Sequence, residues 1–131
     1  MSYLLDADWV INALAGKRNA QVILDRLAPH GIAISRITFG EIYEGAFASP
    51  YPHEHLAILR EFLSPFRALD VTDQIMERFA QIRTQLRRRG ELIPDFDLVL
   101  AATALCHDLT VLTFNIRHFA RMPELSLYQQ I

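Results

Sequence analysis

Carboxylates stand at three places where a strand-like segment gives way to a helix-like one. Asp6 and Asp8 follow the apolar run Tyr3-Leu4-Leu5. Glu41 lies about one turn into the helical stretch after Ile32-Ala33-Ile34-Ser35, and Asp97 opens the segment Phe96-Asp97-Leu98-Val99-Leu100-Ala101-Ala102-Thr103-Ala104. Asn115 follows a fourth strand-like run, Thr110-Val111-Leu112-Thr113. In a parallel sheet covered by helices these residues all project toward the carboxyl ends of the strands, where ligands bind near a switch in strand order. Carboxylates sharing one site repel one another and raise at least one pKa unless a cation neutralises them. Oxygen ligands select hard cations such as Mg²⁺ or Mn²⁺, which keep several waters and join substrate phosphates. Such an ion activates water and stabilises the charge of an in-line phosphodiester displacement.

The same residues also have ordinary structural uses. Asp6, Asp8 and Asn115 can each cap a helix. Asp95 reads as the cap of the helix over residues 96–105, and Asp97 in its first turn suits the helix dipole. Residues two apart point about 200° apart on a helix, so Asp95 and Asp97 cannot both face one metal. Asp97 shares its face with Ala101 and Ala104, small residues that let a helix pack closely on a sheet. Glu41 and Glu44 can form one solvated face. Spacing alone leaves both readings open, a metal site or a set of caps.

The elements that must position these acids alternate along the chain. Strands are expected at Tyr3–Asp6, Ile32–Ser35, Phe66–Val71 and Thr110–Thr113, with a last short one near Leu125–Tyr128. Helices are expected at Trp9–Ala15, Ala20–Ala28, Ile37–Phe47, His55–Leu63, Gln74–Arg89, residues 96–105 and Asn115–Phe119. The long one carries Ile75, Phe79, Ile82 and Leu86 as a core-facing stripe, and Thr72 or Asp73 caps it. The alternation predicts an α/β fold, a three-layer α/β/α sandwich with a mainly parallel central sheet, formed as a single domain over residues 1–131.

With 131 residues and 51% hydrophobic content the chain can bury a real core. No apolar run approaches the ~18 residues of a membrane span, and the chain begins directly with a strand, so a cytoplasmic location is expected. The single cysteine, Cys106, excludes an internal disulfide and a thiolate zinc site; it reads as a small core residue. Net charge is −2 and decides nothing about nucleic acid. Arg87-Arg88-Arg89 reads as favourable charge at a helix C-terminus, with an RNA-backbone contact as the alternative; Arg36, near Glu41, is a second candidate for such a contact. His53 and His55 lack further ligands nearby and read as surface histidines.

In order and spacing the fragments resemble a known family. Leu4-Leu5-Asp6-Ala7-Asp8-Trp9-Val10-Ile11, Ile34-Ser35-Arg36-Ile37-Thr38-Phe39-Gly40-Glu41-Ile42-Tyr43-Glu44-Gly45, Gln81-Ile82-Arg83, the Asp97 segment, and Leu109-Thr110-Val111-Leu112-Thr113-Phe114-Asn115 with Phe119 are similar to PIN-domain ribonucleases, most closely the VapC-type toxins of toxin–antitoxin pairs. Essentially the whole chain is covered. The resemblance implies Mg²⁺- or Mn²⁺-dependent RNA cleavage, with Asp6, Glu41 and Asp97 as metal-holding acids. Asn115 falls where the family often has a fourth acid, a catalytic position at which an amide would hydrogen-bond to metal-bound water. Asp8 and Arg36 are accessory candidates. Ala7 replaces a Thr common in the family, and Asp8 replaces its common Asn. The resemblance further implies a tRNA or rRNA substrate, a homodimer, and an antitoxin whose C-terminal segment lies in an apolar groove that Trp9, Tyr43 and Phe47 could line. Two other functions compete: a PIN-like module that binds a protein or RNA without cutting, suggested by Ala7 and Asn115, and a phosphoacceptor domain, disfavoured because the only lysine is Lys17.

Overall fold

The computed structural model describes residues 2–129. Four short strands, β1 (Tyr3–Leu5), β2 (Ile32–Ser35), β3 (Arg67–Leu69) and β4 (Thr110–Leu112), form a wholly parallel sheet in the order β3-β2-β1-β4. Between and after them run α1 (Ala7–Leu14), α2 (Ala20–Leu27), α3 (Arg36–Phe47), α4 (Pro52–Leu63), α5 (Asp73–Arg88), α6 (Asp95–His107) and α7 (Ile116–Phe119). The chain leaves β1 toward β2 and β3 on one side and returns to β4 on the other. The switch in strand order therefore falls between β1 and β4.

Alternation along the strands divides the core in two. Tyr3, Leu5, Ile32, Ile34 and Leu112 pack with α1 to α4, while Leu4, Ala33, Leu69 and Val111 pack with α5, α6 and α7. Helix α6 is buried continuously from Leu98 to Ala104, so it lies sandwiched between the sheet and α5. Small side chains at 101, 102 and 104 permit that double contact.

Local chemistry sets the boundaries. The Asp6 side chain accepts from the Ala7 N–H, so α1 starts two residues earlier than its apolar periodicity suggests. Ser35 caps α3 through the Ile37 N–H, and Thr72 caps α5 through the Ile75 N–H. Helix α4 opens at Pro52, a residue preorganised for the first helical position. β3 is shorter than expected because β2 ends at Ser35, opposite Leu69, leaving the chain beyond without a partner.

Two expectations are corrected. The strand near Leu125–Tyr128 reduces to one parallel bridge, Val111 with Leu127. β4 has three residues, and only Val111 turns its backbone groups outward, to Ser126 and Tyr128. Asp95 is not the cap of α6: the cap position is Pro94, and Asp95 is the first helical residue, paired with Arg83 Nε at 3.0 Å. Cys106 is only partly buried, against the α5–α6 core. Among the described residues no helix is long and apolar enough to cross a membrane.

Candidate active site

The seam between β1 and β4 is tied by side chains that leave the two strand ends. Asp6 follows β1 directly and is 7% exposed; its Oδ1 accepts from the Ala7 N–H at 2.7 Å and its Oδ2 from the Thr113 hydroxyl at 2.7 Å. Asp8, in the first turn of α1, reaches the same loop, where its Oδ2 accepts from the Phe114 N–H at 2.9 Å. The Thr113 hydroxyl in turn accepts from the Asn115 N–H at 3.0 Å. Behind this loop the Phe114 ring lies parallel to Trp9, centroids 4.7 Å apart, with the Arg18 guanidinium over its other face at 4.6 Å. The two strand ends are thus fixed to each other by bonds that terminate on carboxylates.

Electrostatics show that further acids converge there. Burial lifts the Asp6 carboxyl from 3.8 to about 7, with the charges of Asp8 and Asp97 adding to the rise against the Thr113 and Ala7 hydrogen bonds. Asp8 is raised chiefly by burial, with Asp97 adding, despite hydrogen bonds from Phe114, Trp9 and Thr113. Glu41 is raised by burial first and then by the charges of Asp97, Asp8 and Glu44. Asp97 therefore acts on all three other acids. Glu41 is half-buried while Glu44 is exposed, so the two do not form one solvated face.

Asp97 is held differently from the rest. Its Oδ2 lies 2.7 Å from Nδ1 of His118 on α7, and the same Nδ1 is 2.9 Å from the Asn115 amide nitrogen. Asn115 occupies the cap position of α7 without capping it through its side chain. Sequence reasoning missed Thr113 and His118. The only sequence signals were a hydroxyl ending β4 and a histidine one turn after Asn115.

The fit of this set to a divalent cation has a firm part and an open part. The donors are all carboxylate oxygens, the class that hard cations take. Asp8 Oδ1 is buried with no hydrogen-bond partner, a costly state for a carboxylate that a cation would relieve. The raised acids express the same deficit of positive charge. Among the described residues, however, no three or more His, Cys, Asp and Glu side chains are already gathered closely enough to hold an ion. The residues fit the ion by chemistry and charge, with side-chain rotation needed to close on it.

The other candidates lie apart from this seam. Arg36 Nε is 3.6 Å from Asp70, both largely exposed, and its guanidinium covers the Phe39 ring at 4.9 Å. Arg87 and Arg88 end α5, as favourable C-terminal charge, and Arg89 binds Glu91 and the Arg121 carbonyl. His53 and His55 are exposed. Trp9 is core at 2% exposure, whereas Phe47 is 64% exposed. Beside Glu41 an apolar groove of ≈ 450 Å³ opens between α1, α3 and α4, lined among others by Ile11, Leu14, Ala46, Ile58 and Leu59.

Comparison with known proteins places these features in a family. The sequence profile of the PIN domain matches residues 3–125. Ribonuclease VapC2 of Haemophilus influenzae is 33% identical over 124 residues, covering 93% of this chain and 92% of the relative. The tRNA(fMet)-specific endonuclease VapC of Salmonella typhimurium is 32% identical over 125 residues, covering 94% and 93%. Among solved structures, VapBC2 from Rickettsia felis, bound to a DNA fragment from its promoter, superposes with a TM-score of 0.92 at 28% identity over the full length of both chains.

Proposed function

The chain belongs to the PIN-domain family, and from that premise we propose a mechanism and a site for it: divalent-cation-dependent cleavage of RNA at the β1–β4 seam. It is a VapC-type endoribonuclease, the toxin of a toxin–antitoxin pair. The metal ligands in this reading are Asp6, Glu41 and Asp97, with Asp8 as an added carboxylate and Mg²⁺ or Mn²⁺ as the ion. One observation carries it: Asp6 at the end of β1, Asp8 on α1 and Glu41 on α3 are each raised by burial first and then by neighbouring charges that in every case include Asp97 on α6, where the strand order reverses.

When bound, the cation supplies positive charge against the scissile phosphate and lowers the pKa of the attacking water. The chain's own residues do the rest. The Ala7 N–H and the Thr113 hydroxyl each occupy one oxygen of Asp6, fixing the plane of its carboxylate. Phe114 N–H holds Asp8 Oδ2 and so directs Oδ1 as the free donor. Burial of Asp6 closes one side of the site, so the phosphate approaches from the side where Asp8, Glu41 and Asp97 are half-buried.

Asp97→Asn tests the reading. The expected result is a loss of RNA cleavage in Mg²⁺ of at least about a hundredfold, with weakened Mn²⁺ binding by the purified protein. Cleavage by Asp97→Asn at the wild-type rate would overturn it, and a wild-type protein that neither binds Mn²⁺ nor cuts would be a binding module only. For the substrate we propose tRNA, supported by the Salmonella relative that is named for it. The antitoxin segment is assigned to the groove beside Glu41, because Glu41 lines both groove and site. A partner there would cover an acid and block the phosphate. A homodimer is the assembly that the family resemblance supports.

A further inference from the structure

His118 touches Asp97 in a way that fixes its own hydrogen. An ionised carboxylate oxygen only accepts, so the 2.7 Å contact from Asp97 Oδ2 requires the hydrogen on Nδ1. A nitrogen that donates there cannot also accept from the Asn115 amide N–H at 2.9 Å. Turning the Asn115 amide by 180°, which exchanges its oxygen and nitrogen in place, removes the conflict: Oδ1 then faces Nδ1–H as a second acceptor. The imidazole is consequently gripped between an amide and a carboxylate. It is carried by α7, whose Phe119 is fully buried in the α5–α6 core. Asp97 Oδ1 makes no hydrogen bond among the described residues, so the grip selects which oxygen is left free.

We propose that His118, braced by Asn115, is a positioning residue that orients Asp97 so that Oδ1 is presented to the metal. This rests on the metal-site reading given above. It gives Asn115 a role one step behind the ligands. Outer partners that orient ligating carboxylates affect metal affinity as well as activity, so the test is made on metal binding in RNA-free protein.

Mn²⁺ is titrated, with electron paramagnetic resonance as readout, into wild type, His118→Ala, His118→Asn, Asp97→Asn and the double variant His118→Ala/Asp97→Asn. His118→Ala is expected to bind Mn²⁺ about 10- to 100-fold more weakly. His118→Asn returns an amide N–H close to the place of Nδ1 and should recover most of that loss. In the Asp97→Asn background, His118→Ala should add less than about twofold, because the group it orients is gone. Wild-type Mn²⁺ affinity in His118→Ala, no recovery by His118→Asn, or full additivity would each overturn the proposal. Should His118→Ala not fold, Asn115→Ala decides: several-fold weaker binding supports the bracing, and unchanged binding overturns it. Wild-type Mn²⁺ affinity in Asp97→Asn marks a different failure, that of the metal-site reading itself.

Discussion

On one side of the sheet, α5 and α6 close over Leu4, Ala33 and Val111, and α6 buries every residue from Leu98 to Ala104. On the other side, α1, α3 and α4 cover Leu5, Ile34 and Leu112 but leave Ile11, Leu14, Phe47 and Ile58 between 43% and 64% exposed. The first layer leaves only Met76 and Phe96 as exposed large apolar side chains on its two long helices, whereas the second ends in an apolar groove. The acids are divided across the same boundary, Asp97 from the first layer and Asp8 and Glu41 from the second. Catalysis needs a ligand held rigidly, and inhibition by a partner needs a surface that can be covered. Placing the site on the boundary supplies both.

The largest effect that can break this contrast is in the first layer. Leu98→Ala, one residue after Asp97 and fully buried, should cost about 2–5 kcal/mol in urea unfolding. Ile58→Ser on the groove should change stability by no more than about 0.5 kcal/mol while weakening antitoxin binding at least about tenfold by calorimetry. Equal destabilisation by the two would mean that the groove is part of the core, and the distinction between the layers would fail.

That distinction was only half visible in the sequence. The alternation of strands and helices, the parallel sheet and the places of Asp6 and Glu41, which follow β1 and β2, come from local patterns; Asp97 follows α5 and not a strand, and only helical periodicity places it. The Asp97–Ala101–Ala104 face was legible for the same reason. Asp95 was misplaced because Pro94 is itself the cap position, and a neighbouring Arg83 twelve residues away took the carboxylate. Thr113 and His118 were not legible: each matters through one tertiary contact, with Asp6 at a separation of 107 residues and with Asp97 at 21. No periodicity encodes such a pair. Trp9 and Phe47 could not be told apart in sequence, yet the first is core and the second exposed.

The next effect concerns the seam, and it has the opposite sign to an ordinary core substitution. Asp6 has a folded pKa of about 7 against an ordinary 3.8. Between those values the folded protein holds more protons than the unfolded one, so stability falls as pH rises through that window and is level above it. Asp8 and Glu41, also raised, act in the same direction. At 1.36 kcal/mol per unit, ionised Asp6 costs on the order of 4 kcal/mol at pH 8. Asp6→Asn removes that cost, but its amide accepts at one end only and cannot take both the Ala7 N–H and the Thr113 hydroxyl, a loss of about 1 kcal/mol. In EDTA at pH 8 the variant should therefore be more stable than wild type by about 3 kcal/mol and inactive on RNA. Its advantage should vanish near pH 4. Wild type should melt higher at pH 5 than at pH 8 without divalent cation, and Mn²⁺ should remove much of the difference. A variant less stable than wild type at pH 8 would show that Asp6 is structural first.

The smallest effect is at the bond that joins the two strand ends. The Thr113 hydroxyl donates to Asp6 Oδ2 at 2.7 Å and accepts from the Asn115 N–H at 3.0 Å, so it serves the site and the entry to α7 together. Thr113→Val keeps the shape and the β-branch while deleting both bonds. At pH 8 the cost should be about 1–2 kcal/mol, since the bond to an ionised carboxylate is stronger than a neutral one. Thr113→Ser restores the hydroxyl without the methyl and should recover activity more fully than stability, the methyl being buried. At pH 5, where Asp6 is protonated, the deleted bond is one to a neutral carboxyl, so the Thr113→Val penalty should shrink. A penalty independent of pH would place the worth of Thr113 in packing between the layers instead of in holding Asp6, and the seam would then be core that happens to carry acids.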